Sequence, residues 1–224
     1  MEKTEIAAIS RLRMGWDGEG VTTLVAFRGC PLRCRWCLNP QLLEQDCPCR
    51  LLSPKALFEE IRQDELYFLA TGGGVTFGGG EPLLHASFIR SFREECGPQW
   101  KINAETSLHV PETALREVLP ALDHLYIDIK DMDPGTYRLY TGADNRAVLR
   151  NLSLLVSQGL ASRCTIRIPL IPEFNSQEAT AESVRKVREM GFTDIDLFTY
   201  TKNGERKKNL PATPENTATD RPGK

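Results

Sequence analysis

The sequence predicts an α/β fold, a partial (β/α)6 barrel, on three observations. Short β-branched apolar runs alternate with longer stretches of helical spacing, the pattern of repeated βα units. Six such strands can be counted, fewer than the eight of a closed parallel barrel. At 224 residues the chain is long enough for one buried core and too short for two large domains.

The strands are expected at residues 23–27, 74–77, 101–104, 124–129, 164–168 and 194–200. Helices are expected between them at 54–69, 84–95, 112–122, 146–158 and 178–190. Ser53 stands as an N-cap ahead of a first-turn proline, Pro54. Gly97, Gly159 and Gly191 follow helical runs, where a left-handed residue ends a helix. Right-handed crossovers then give a splayed parallel sheet with helices outside and functional loops gathered at one end. Residues 1–201 form this domain; 202–224, rich in Lys, Asn, Pro, Thr and Gly without periodicity, are expected to be a flexible polar tail.

Bulk properties narrow the function classes. With 28 basic against 30 acidic side chains and no long run of either sign, nucleic acid and anionic membrane are not expected partners. No stretch approaches the roughly 20 apolar residues of a membrane span, and the start lacks a signal-peptide core, so a cytoplasmic protein is expected. Seven cysteines, three of them within eight residues, fit metal or redox use of thiolates better than a disulfide framework.

Those three, Cys30, Cys34 and Cys37, have C-x3-C-x2-C spacing directly after the first strand. Iron–sulfur cubanes are usually held by four thiolates, so a loop supplying three leaves one iron open to a small ligand. The alternative is structural zinc, which prefers paired C-x2-C knuckles; Cys47 and Cys49, spaced C-x-C, make a poor second pair. Gly79-Gly80-Glu81-Pro82 follows the second strand, where glycines allow backbone to approach a ligand closely. Glu105-Thr106 ends the third strand and Asp128-Ile129-Lys130 the fourth, at the end where parallel sheets collect functional groups. A surface ion pair is the alternative reading of Asp128 and Lys130. Arg167 alternates with apolar neighbours in the fifth strand and should face inward, where a guanidinium needs an anionic partner.

Taken together, these motifs resemble the radical S-adenosylmethionine superfamily, and within it the glycyl-radical enzyme activating enzymes, from about residue 17 to residue 200. The resemblance implies that Cys30, Cys34 and Cys37 hold one [4Fe-4S] cluster whose open iron is chelated by S-adenosylmethionine. It also implies cofactor contacts from Trp36, Leu38, Gly80, Glu81, Glu105, Thr106, Asp128, Ile129, Lys130 and Arg167, with the cofactor carboxylate as the partner of Arg167. A monovalent cation near Glu105 and Asp128 is a further implication, although Glu105 stands where the family has Asp. Asp17-Gly-Glu19-Gly20 resembles the family's Asp-Gly-Pro-Gly turn; Thr22 and Thr201 stand where an arginine and a histidine are usual.

What the resemblance implies about activity is anaerobic radical chemistry. Reductive cleavage of S-adenosylmethionine would give a 5′-deoxyadenosyl radical, which takes hydrogen from a glycine of a partner glycyl-radical enzyme, with flavodoxin or ferredoxin as electron donor. A small-molecule radical enzyme like 7-carboxy-7-deazaguanine synthase and a non-catalytic iron–sulfur protein are the alternatives. A single cluster is expected, since Cys47 and Cys49 cannot supply a second cubane. Those two are read as solvent-facing or vestigial, Cys96 and Cys164 as apolar packers, and His85, His109 and His124 as without a role.

Overall fold

In a computed structural model the described residues are 3–200, together with the backbone of Arg206–Lys208. A hairpin opens the chain, β1 (Thr4–Met14) and β2 (Val21–Phe27), and β3 (Arg50–Leu52) pairs antiparallel with β1. There follow α1 (Pro54–Ile61), α2 (Glu65–Thr71), β4 (Gly74–Gly79), α3 (Ala86–Cys96), β5 (Lys101–Thr106), α4 (Glu112–Val118) and β6 (His124–Asp128). The chain continues through α5 (Pro134–Thr141), α6 (Arg146–Ser157), β7 (Cys164–Leu170), α7 (Gln177–Met190), β8 (Ile195–Tyr200) and β9 (Arg206–Lys208).

One sheet holds all nine strands in the order β3-β1-β2-β4-β5-β6-β7-β8-β9. The six strands from β2 to β8 are parallel neighbours and coincide with the six expected from sequence. Antiparallel strands flank them, and among the described residues nothing pairs β9 to β3, so the barrel stays open. Part of the segment expected to be a tail thus forms β9; the rest of that expectation, and Thr201, lie outside the described residues.

Local chemistry explains the helix borders. The Ser53 hydroxyl accepts the Ala56 amide and Pro54 opens α1, while Gly191 ends α7 at φ 110°. The helix expected over 54–69 is broken by a 3-10 turn at Arg62–Asp64, where buried Asp64 accepts hydrogen bonds from Arg11 and Thr23. Between sheet and helices lies an aromatic core. Phe27 stacks on Phe77 at 5.4 Å and meets the edge of Phe88 at 5.6 Å, and Trp100 packs 5.1 Å from Phe68. This rigid layer fixes the strand ends that carry the polar groups.

Candidate active site at the carboxyl end of the sheet

The exits of β2 and β4 touch. Gly80 N–H donates to the Phe27 carbonyl at 2.9 Å and Glu81 N–H to that of Gly29 at 2.8 Å. A Cβ on Gly80 would lie 2.0 Å from the Gly29 oxygen. The steric demand at this glycine comes from the chain beside Cys30, and Gly80 also lines the cavity described below.

The cysteine loop is braced from two sides. Arg33 Nη1 donates to the carbonyls of Cys30 (2.7 Å) and Leu32 (3.0 Å). The amides of Arg33 and Arg35 donate to the carbonyls of Thr141 and Tyr140, each at 2.9 Å, so the loop satisfies two acceptors that the end of α5 would leave unpaired. The Tyr140 hydroxyl returns a bond to the Trp36 carbonyl at 3.3 Å. Trp36 itself meets Phe174 edge-on at 6.1 Å.

Cys30, Cys34 and Cys37 line one cavity together with Trp36, Leu38, Gly80, Glu81, Glu105, Thr106, Asp128 and Lys130. Eleven expected site residues from four separate segments therefore meet at the carboxyl ends of the strands. The same cavity is lined by Ser107, Tyr140 and Tyr200, which sequence reasoning did not place there.

Inside the cavity the charges are paired. Lys130 Nζ lies 3.2 Å from Asp128 Oδ2. Burial works against the ammonium, but Asp128, helped by Tyr200 and Cys34, outweighs it and holds Lys130 well above its usual pKa. Glu81 is fully buried and accepts four hydrogen bonds, from Thr106 Oγ1 (2.6 Å), Ser107 N (2.9 Å), Ser107 Oγ (2.6 Å) and Leu83 N (3.2 Å). Burial raises its pKa and these donors oppose the rise. Its carboxylate shapes the Thr106-Ser107 corner from behind. Burial also pushes the Cys30 thiol up to about 11 and raises Cys34, so metal binding there must displace protons.

Two expected cofactor residues stand elsewhere. Ile129 is a core side chain, 1% exposed, whose amide donates to the Arg167 carbonyl at 2.9 Å. Arg167 faces inward as expected, but its anionic partner is Glu105, at 2.5 Å from Nη1, and Nη2 donates to the Trp16 carbonyl at 2.7 Å. Its guanidinium lies 4.5 Å over Tyr126 and lines a second cavity beside Trp16 and Asp194, toward the amino ends of the strands. Glu105 and Asp128, expected to flank a cation, are thus each paired with a basic side chain. The Asp17–Gly20 turn sits at that amino end too, where the Thr76 hydroxyl donates to the Asp17 carbonyl. Buried Thr22 lies near this end, outside the cysteine cavity.

Of the other four cysteines none lines the cysteine cavity. Cys164 is a fully buried packer, as expected, and Cys96 is partly buried at the end of α3. Among the described residues no three His, Cys, Asp or Glu side chains converge on a single ion position. A cubane instead takes each thiolate on a separate iron, and three thiols without a fourth suit one with an open iron. The adjacent Asp128–Lys130 pair offers both charges to a zwitterionic ligand.

An open parallel sheet with three thiols lining a cavity at its carboxyl edge fits an α/β protein that binds a metal group through thiolates. Residues 24–184 match the Radical SAM superfamily. Pyruvate formate-lyase 2-activating enzyme of Escherichia coli is 31% identical over 87% of this chain and 76% of its own. The (2S)-3-sulfopropanediol dehydratase activating enzyme of Klebsiella oxytoca is 29% identical over 85% and 80%. SuiB of Streptococcus suis, solved with its precursor peptide SuiA, superposes with a TM-score of 0.62 over 84% of this chain. At 15% identity, and with this chain spanning 41% of that one, SuiB shows the fold alone. The chain belongs to the radical SAM superfamily and, within it, to the glycyl-radical enzyme activating enzymes. Its cofactors are accordingly a [4Fe-4S] cluster and S-adenosylmethionine.

Proposed function

We propose that this chain activates a partner glycyl-radical enzyme by removing hydrogen from a backbone glycine, and that Cys30, Cys34 and Cys37 are the cluster ligands. The observation that carries the reading is the convergence of three thiols, without a fourth, on a cavity shared with Asp128 and Lys130. Bound there, the cluster and S-adenosylmethionine supply an electron and a 5′-deoxyadenosyl radical.

The chain's own residues position and exclude. Arg33 and the end of α5 hold the thiol loop, so its backbone is restrained before metal arrives. Lys130 and Asp128 present opposite charges for the carboxylate and ammonium of the methionine moiety, and Glu81 keeps Thr106 and Ser107 in place at the wall. Trp36, Leu38 and Tyr200 line the mouth as apolar cover, which limits water at the reacting atoms. No acid, base or nucleophile is required of the protein. The unclosed sheet leaves a side through which a peptide loop can reach the cavity. A flavodoxin or ferredoxin is the proposed electron donor and the cytoplasm the proposed location; among the described residues no helix is long and apolar enough to cross a membrane.

The test is anaerobic reconstitution with iron and sulfide, reduction with S-adenosylmethionine present, and assay of 5′-deoxyadenosine together with the glycyl-radical EPR signal of a co-encoded partner. Both products are expected from the wild type and neither from Cys34→Ala. Full iron loading without 5′-deoxyadenosine would overturn the enzyme reading. Cleavage without a glycyl radical on any candidate partner would overturn the activase reading alone.

A further inference from the structure

Cys47 and Cys49 take no part in the site described above. Both lie in the connection that runs from the cysteine loop to β3, and both are partly accessible. Their sulfurs face each other at 3.8 Å, the Cys49 thiol donating to Cys47 Sγ. The remaining thiols are poorer candidates for surface chemistry: burial pushes Cys96 up to about 11 and Cys164 up to about 12.

We propose that Cys47 and Cys49 form a redox-modification site, a surface dithiol that low-molecular-weight disulfides convert into an intramolecular disulfide. One thiolate attacks a sulfur of the reagent, whose S–S bond breaks and releases one thiolate. The second thiol loses its proton and attacks the protein sulfur of the mixed disulfide, expelling the other half of the reagent. Two electrons and two protons leave the pair, and the reagent is reduced to two thiols. Because the sulfurs already stand in contact, the second step is intramolecular and the mixed disulfide does not accumulate.

The segment that leads to the pair is tied to the cluster loop by two bonds onto its backbone carbonyls. Arg28 Nη2 donates to the Gln45 carbonyl at 3.0 Å, and the amide of Gly29, the residue before Cys30, donates to the Leu42 carbonyl at 3.0 Å. Closing the ring at 47 and 49 stiffens the end of that segment, so exchange of the Gly29 amide should slow severalfold.

The experiment incubates cluster-loaded protein anaerobically at increasing ratios of oxidised to reduced glutathione, then quenches with acid and N-ethylmaleimide. Cleavage before Asp46 and after Arg50 isolates a peptide with both thiols and separates it from Cys37. The expected product is that peptide lighter by two hydrogens and unalkylated, with iron content unchanged. A stable glutathione adduct, full alkylation at every ratio, or a disulfide to Cys37 would each overturn the proposal. Cys49→Ser should retain iron and 5′-deoxyadenosine formation, accumulate glutathione on Cys47, and show no slowing at Gly29. If Cys49→Ser still yields an unalkylated Cys47 without an adduct, the pairing is wrong.

Discussion

Replacing Arg167 with methionine keeps much of the stem and deletes the charge. Arg167 is 4% exposed and its partner Glu105 has a side chain 23% exposed. Removing one member of a buried ion pair costs about 3–5 kcal/mol. Glu105 retains some solvent and can take up a proton, so the expected loss is nearer 2–3 kcal/mol, or about 4–12 °C in Tm for a chain of this size. Burial already raises the Glu105 pKa against the pull of Arg167, and the substitution raises it further. The folded variant then binds a proton that the unfolded chain has released. Its deficit is full above the raised pKa and shrinks as pH falls through it. Arg167→Met with Glu105→Leu removes both charges and should recover most of the loss, giving a coupling energy of about 1.5–3 kcal/mol. Urea denaturation of the four proteins by circular dichroism, under anaerobic reducing conditions, measures that coupling. A value below about 0.5 kcal/mol would refute Glu105 as the partner of Arg167.

Glu81→Gln leaves one acceptor oxygen where the carboxylate serves four donors, and should cost about 2–3 kcal/mol and lower the iron retained per chain; an unchanged Tm would contradict its buried role. Tyr140→Phe removes the bond to the Trp36 carbonyl, with a loss of about 0.5–1.5 kcal/mol and faster cluster release to a chelator. If chelation rates match the wild type, the Tyr140 hydroxyl is not part of what holds the loop. Burial lowers the pKa of His124 below 6.5, so the unfolded chain binds its proton first and stability falls as pH drops below 6.5 through the folded value. His124→Asn should flatten the urea midpoint between about pH 5.5 and 7.5; an unchanged slope would assign the acid sensitivity elsewhere.

The parallel strands were legible because a strand covered on both faces reads as a short β-branched and apolar run, as the Val-Thr-Thr-Leu-Val-Ala-Phe of β2 does. β1 was not: only Thr4 and Ile6 of its eleven residues are buried, and its register slips between Ser10 and Arg13, where Leu12 has φ 55°. A solvated ribbon with a bulge has no clean alternation to read. α5 carried usable signals, with Asp133 accepting the Thr136 amide, Pro134 opening the helix and Gly142 in the left-handed region behind it. Pro134-Gly135 beside an acidic residue resembles a turn just as well, and with α5 went Tyr140. The strand-end rule found Glu105, Asp128 and Lys130 without any structure. It could not say that Arg167 turns to Glu105, because β6 lies between their strands and periodicity fixes a face without fixing a neighbour.

That pairing bears on how the cavity manages charge. Asp128 is met by Lys130 and Glu105 by Arg167, while Glu81 accepts from four neutral donors, so two of the three wall carboxylates are compensated by a base. The three thiols are a separate case, since each must lose a proton to bind iron and burial opposes that at Cys30 and Cys34. Compensation for three thiolates must therefore come chiefly from the iron core and from Lys130, which already favours the Cys34 thiolate. Backbone bonds to α5, and Arg33 on the loop's own carbonyls, restrain the loop backbone while the thiols are still protonated. Preorganisation thus lies in the backbone, and the charge arrives with the metal.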